Sequence, residues 1–131
     1  MAGSGPSAAA VALGDVGVAF RLAGGGSYTA VERATLHVAD GEFVAIVGPT
    51  GCGKSTLLNV AAGLMPPSSG TINVFGAPLS SLNRQAGYLF QADALFPWKT
   101  ALENVAIGLE TAGTPQGEAR PRAQEWLNAW A

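Results

Sequence analysis

The chain has 131 residues, of which 48% are hydrophobic and only 12% charged, about half the usual charged share. That composition excludes a solvated disordered tail, and its apolar excess suggests a chain to be covered by further polypeptide or by a partner. Seven Lys and Arg against nine Asp and Glu give a net charge of −2, without the basic face that nucleic-acid binding needs. The single cysteine, Cys52, excludes a disulfide-stapled scaffold. Residues 1–13 carry no Lys or Arg for a signal peptide, and no apolar run approaches the ~18 residues of a membrane span.

Residues 1–10 (Gly, Ser, Pro and Ala after Met1) read as a disordered leader, and 11–131 as one domain. Val16, Val18 and Phe20 alternate as in a strand, and Gly24-Gly25-Gly26-Ser27 turns the chain. A second alternating stretch, Val31 to Val38, puts Leu36 and Val38 on one face. Asp40-Gly41 signals another turn. Phe43-Val44-Ala45-Ile46-Val47 is continuously apolar, the pattern of a strand covered on both faces.

Next comes Gly48-Pro49-Thr50-Gly51-Cys52-Gly53-Lys54-Ser55-Thr56, in which Gly48 to Ser55 fit G-x-x-x-x-G-K-[ST] without a mismatch. Glycines let successive amides curl inward as an anion nest, and the helix beginning near Gly53 aims its free N–H groups at the same point. Lys54 is the candidate cation for the β- and γ-phosphates, and the Ser55 hydroxyl the candidate Mg²⁺ ligand. An apolar strand before the motif and a helix after it are the context a true phosphate loop requires; a chance glycine turn lacks it. Cys52, inside the loop at a helix N-terminus, is a candidate reactive thiol; the alternative is an inert small residue.

Leu57, Leu58, Ala61, Ala62 and Met65 recur at helical spacing until Pro66-Pro67. Short strands are expected at Thr71 to Phe75 and at Gly87 to Gln91. Thr100 with Glu103 forms a capping box for a helix through Leu109, Pro115 to Gly117 break it, and a final helix carries Trp126, Leu127 and Trp130. The two tryptophans either pack back on the sheet or stay exposed.

The run from Asp40 to Leu58, continued by Ala62-Gly63-Leu64, Ser69-Gly70-Thr71-Ile72 and Gly76, resembles the ATP-binding subunit of ABC transporters. Leu89-Phe90-Gln91 before Leu95-Phe96-Pro97-Trp98 resembles that family's Q-loop. Leu95 to Glu110 is most similar to importers of the nitrate, sulfonate and taurine group. The resemblance implies an α/β fold: a P-loop NTPase-type partial parallel sheet, an antiparallel β subdomain and the start of a helical subdomain near residue 97. It implies ATP held by Gly48 to Thr56, Mg²⁺ at Ser55 and Gln91, and Lys54 and Gln91 as catalytic residues. Phe20 falls where the family stacks an aromatic on adenine, with Tyr28 a competitor and a plain core role the alternative. The implied partners are a transmembrane permease, reached through the Q-loop and the segment after it, and a second ATP-binding subunit. The implied location is cytoplasmic, on the inner face of the membrane.

After Gln91 the family pattern asks for an L-S-G-G-Q-like signature, a Walker B strand ending in Asp-Glu and a switch histidine. Asp93, Glu103, Glu110, Glu118 and Glu125 end no run of four apolar residues, and the only histidine, His37, precedes the loop. The expectation is the first half of such a subunit, binding ATP without hydrolysing it. A non-catalytic nucleotide-binding fragment and another P-loop phosphotransferase remain as alternatives.

Overall fold

The computed structural model describes residues 8–92 and 94–130. They form two compact units, one ending at Tyr88 and one beginning at Leu89. Most of the expected leader, residues 1–7, lies outside the described residues.

The first unit contains strands β1 (Val11–Arg21) and β2 (Ser27–Val38), helix α1 (Lys54–Ala61), and strands β3 (Ser69–Val74) and β4 (Ala77–Pro78). The strands make one antiparallel sheet in the order β2-β1-β3-β4. The glycine turn closes the β1–β2 hairpin, with the Leu22 amide donating to the Gly26 carbonyl at 3.2 Å. Pairing runs from Phe20↔Tyr28 through Val18↔Val31 to Leu13↔Leu36, with irregularities on the way. Asp15 and Arg33 sit at two of these with φ of 49° and 48°. A bulge inserts one residue and resets the inward alternation. Leu13 and Val16, three apart in sequence, are both fully buried for that reason. With Val18, Ile72 and Val60 of α1 they form the core of this unit.

Helix α1 stops sooner than Pro66-Pro67 would require. Gly63 takes φ of 71°, its amide donates to the Val60 carbonyl at 3.0 Å, and the Leu64 amide donates to the Asn59 carbonyl at 2.9 Å. This glycine cap ends the helix before the prolines are reached. A Cβ on Gly63 would strike the Ser81 carbonyl. The same loop carries Asn83, a buried polar residue, whose amide donates to the Ala62 carbonyl at 2.9 Å.

Two expected strands are not formed. The Asp40-Gly41 turn is present, with the Ala39 amide donating to Glu42 Oε2 at 2.7 Å. Beyond it, Phe43 to Val47 has no regular structure, and Phe43 is 93% and Val47 86% exposed. A strand needs a neighbour to take its amides and carbonyls, and among the described residues all four strands belong to the antiparallel sheet, none beside this segment. Residues 87–91 likewise form no strand, and Leu89 is exposed.

The second unit is built on α2 (Ala101–Thr111) and α3 (Gln116–Ala129). The capping box forms as expected: Glu103 N donates to Thr100 Oγ1 at 3.3 Å, and Thr100 N donates to Glu103 Oε2 at 2.9 Å. Ala106, Ala119 and Ala123 make the helix contact, with Leu102 and Leu109 beside them. Such small side chains let the helices approach closely. Trp126 and Trp130 are exposed.

Candidate functional site

The phosphate-loop motif spans the unpaired segment and α1. Gly51 and Gly53 have φ of 81° and 92°, left-handed values that glycine adopts at no steric cost. Gly53 is constrained twice, because a Cβ there would also strike the Ala30 carbonyl and come within 3.0 Å of Val31 Cγ2. The loop thus rests against β2. Gly53 precedes α1 as its N-cap with no side-chain cap bond, and no acidic residue occupies the first turn. Among the described residues, the amides of Gly51 to Thr56 meet no protein acceptor. A helix N-terminus in this state presents free donors and roughly half a positive charge.

Lys54, the first residue of α1, folds back over the loop. Its Nζ donates to the Gly48 carbonyl at 2.8 Å and to the Pro49 carbonyl at 2.6 Å, and lies 3.5 Å from Cys52 Sγ. The ammonium therefore sits inside the ring of backbone formed by residues 48–54. Nothing acidic pairs with it among the described residues. Ser55 is exposed in the first turn of α1, and Thr56 is half-buried. The donors, the uncompensated cation and the helix N-terminus converge on one concave surface, which can hold a polyanion. A magnesium ion brought with the phosphates would find the Ser55 hydroxyl, the donor type that suits it. No group of three or more His, Cys, Asp or Glu is poised for a metal among the described residues.

Phe20 and Tyr28 are direct cross-strand partners, 40% and 50% exposed. By alternation, Phe20 shares a face with Val16 and Val18. Tyr28 is two residues from Ala30, where Gly53 abuts β2, a distance of about 7 Å along the strand.

Gln91 lies in the second unit, exposed, in a stretch without regular structure; Asp93 is outside the described residues. His37 is exposed on β2, across from Ala12. Glu103 is committed to its helix cap and to Arg120, 3.2 Å away. Its carboxyl is held below its ordinary value near 4.5, chiefly by the Thr100 amide and then the Thr100 hydroxyl, with Lys99 and Arg120 adding smaller attraction.

Two positioning side chains were not singled out from the sequence. Tyr88 Oη donates to Asn59 Oδ1 at 2.7 Å, tying the end of the first unit to α1. Asn104 Oδ1 accepts from the Phe96 amide at 2.8 Å, and its Nδ2 donates to the Phe96, Lys99 and Thr100 carbonyls. It brackets the turn that carries Phe96 and Trp98, whose rings lie 5.2 Å apart. Neither the Tyr88 hydroxyl nor the Asn104 amide follows a spacing rule that a sequence could display.

Comparison with known proteins gives a consistent result. The family model described as ABC transporter matches residues 31–131. A Brucella abortus protein named for ATP binding is 46% identical over 103 residues, 79% of this chain and 40% of the relative. The taurine import ATP-binding protein TauB of Mesorhizobium japonicum is 48% identical over 98 residues, 75% of this chain and 38% of the relative. The chain thus spans about 40% of the length of the curated relatives it matches. A solved ATP-binding cassette, dimeric and bound to ADP and Pi, superposes with a TM-score of 0.79 at 32% identity, covering 90% of this chain and 56% of that one. The match places the chain in the α/β class with an ABC cassette fold.

Proposed function

Since the chain belongs to the ABC transporter family, as an ATP-binding subunit, we propose that residues 48–56 bind the phosphates of ATP and that the protein couples nucleotide binding to import of a small anion such as nitrate or a sulfonate. The observation that carries this reading is the loop itself: free amides of 51–56, the Lys54 ammonium and the N-terminus of α1 on one concave surface. The sulfonate class is supported by the taurine relatives. An incoming phosphate competes with the Gly48 and Pro49 carbonyls for Lys54 and replaces two neutral acceptors by a charged one, which is the stronger bond. Mg²⁺, when bound, would neutralise phosphate charge, with Ser55 as its protein ligand. Phe20 and Tyr28 together offer the adenine an aromatic edge.

Hydrolysis also needs a water oriented for in-line attack. No carboxylate after the loop ends a run of four apolar residues in these 131 positions. We therefore propose that this chain binds ATP and does not turn it over by itself. The permease would engage the segment after Gln91, where Leu95 and Trp98 are exposed. A second ATP-binding subunit is supported by the dimeric solved cassettes, and such a complex would hold the protein at the inner face of the membrane. No helix is long and apolar enough to cross a membrane among the described residues.

Calorimetric titration with MgATP tests the binding, with phosphate release measured on the same sample. Lys54→Ala should weaken binding roughly 10- to 150-fold, the worth of one charge-assisted bond. Equal affinity in the variant, or steady phosphate release by the unmodified chain, would refute the corresponding half of the reading.

A further inference from the structure

Helix α1 holds the phosphate loop at its N-terminus, and among the described residues that end is fixed only lightly. Gly53 leans on β2 without a side-chain cap bond, and Lys54 Nζ bonds to the loop's own carbonyls. The C-terminal end is held from outside. The last carbonyls of a helix lack partners within it, and Asn83 serves two of them. Its backbone amide donates to the Ala62 carbonyl at 2.9 Å, and its Nδ2 donates to the Ala61 carbonyl at 3.5 Å. The Gln85 amide donates to Asn83 Oδ1 at 3.1 Å and fixes that side chain. From the same stretch of chain, Tyr88 Oη donates to Asn59 Oδ1 at 2.7 Å.

An eight-residue helix is about 12 Å long and moves as one rod. Asn83 grips its backbone end, and Tyr88 grips a side chain about one turn earlier. One grip alone would be a pivot; two grips spaced along the axis resist tilting. Asn59 lies about 7.5 Å along the axis from Lys54, so a tilt at the gripped end displaces the free amides and the ammonium at the other. Recognition by a preformed set of donors needs their aim held within about 0.5 Å. We propose that Tyr88 is a positioning residue of the phosphate loop, acting through Asn59 and the length of α1. This inference rests on the reading of residues 48–56 as the site for the phosphates of ATP. It gives a role to a hydroxyl that packing does not require, since a phenylalanine ring would fill nearly the same space.

Tyr88→Phe tests it in the 131-residue chain, with circular dichroism used to keep every titration below the onset of unfolding. MgATP binding should weaken about three- to fivefold, the worth of one neutral hydrogen bond. Asn59→Ala should weaken it by a similar factor, and the double variant no further, because either single change already breaks the link. Val74→Ala, a core truncation in β3, should lower stability and leave the affinity unchanged, since ligand affinity of a fully folded chain does not follow its stability. Alkylation of Cys52 by iodoacetamide reads the loop without nucleotide. Its Sγ lies 3.5 Å from Lys54 Nζ, and so close to Gly48 that a Cβ there would come within 2.8 Å of it. Tyr88→Phe should raise that rate about threefold, and Val74→Ala should not. Where the unmodified chain binds MgATP, equal affinity in Tyr88→Phe, losses that multiply in the double variant, or an equal loss in Val74→Ala each overturn the inference. Where the unmodified chain does not bind MgATP, the nucleotide reading falls, and the Cys52 rates decide the positioning role: an unchanged rate in Tyr88→Phe overturns it.

Discussion

Leu13, Val16 and Val18 in β1 are almost wholly buried, whereas Phe43 and Val47 are among the most exposed apolar residues of the chain. The two stretches are similarly apolar and lie in the same unit. They differ in their neighbours. β1 is flanked by β2 and β3, which satisfy its backbone on both edges, and Val60 of α1 covers its face. Among the described residues, the 43–47 segment has no strand beside it. In the first unit, these β1 side chains are buried where both edges of the strand are paired and a helix covers the face, and the 43–47 side chains lack both. The phosphate loop is the junction between the two situations, entered from the unpaired segment and resting on the paired sheet through Gly53.

That contrast sets the largest expected effect. Leu13→Ala removes a side chain from the filled core and should cost about 2–5 kcal/mol. Phe43→Ala removes a larger side chain from solvent and should change stability by no more than about 0.5 kcal/mol. Denaturant melts of the two variants make the comparison directly. Equal losses would mean that residue 43 is covered in solution and that the contrast is wrong.

Gly53→Ala probes the junction and comes next. The new methyl group meets the Ala30 carbonyl, and φ of 92° is strained for any residue with a Cβ. The strain should cost on the order of 1–3 kcal/mol, drawn from the contact between loop and β2. The expected readout is weaker MgATP binding with β1–β2 hairpin amides still protected from exchange. Full loss of hairpin protection would show that the loop holds the sheet together, the reverse of the dependence described here.

What the sequence made legible follows the same division. Elements specified by their own residues were readable: the Gly24–Gly26 hairpin, the Asp40-Gly41 turn, the Thr100–Glu103 box and the glycine spacing of the loop. Elements that need a distant partner were not, and neither of the strands expected at 43–47 and 87–91 forms among the described residues. The alternation of Val16, Val18 and Phe20 was visible, but the bulges at Asp15 and Arg33 were not, since neither residue is a glycine that would announce a positive φ. The stop at Gly63 was within reach, because a glycine before two prolines is itself a cap signal, and the prolines drew the boundary too late. At the site, residue types and spacing mark the candidate loop. The return of Lys54 to the Gly48 and Pro49 carbonyls depends on side-chain conformation, on which spacing is silent.

Cys52 gives a smaller effect on the uncovered side of the comparison. Its thiol is exposed and 3.5 Å from Lys54 Nζ, on the concave face of the loop. Alkylation should crowd the phosphate position and weaken MgATP binding by about tenfold or more, equivalent to about 1.4 kcal/mol. Bound MgATP should in turn slow the reaction. Unchanged affinity after complete modification would place the thiol outside the phosphate path.

The second unit supplies the smallest effect and a case in which no distant partner is needed. Thr100→Ala removes the hydroxyl half of the box and should cost about 1 kcal/mol, within the usual range for a helix cap. Glu103 supplies the other half, and its carboxyl titrates below its ordinary value near 4.5 because the Thr100 amide and hydroxyl favour the charged form. A depressed folded value means that the unfolded chain takes up the proton first as pH falls. The contribution of Glu103 is therefore complete above the unfolded value near 4.5 and fades as pH drops through the lower folded value. Helical circular dichroism should fall on acidification below that point, and Glu103→Gln should flatten the fall while starting from a less helical state. Among its described residues the core of the first unit has no buried carboxylate, so the protection of its β1–β2 amides should hold over the same interval. If both units lost structure together on acidification, the local character assigned to the helical pair would be wrong, and its stability would have to be coupled to the sheet.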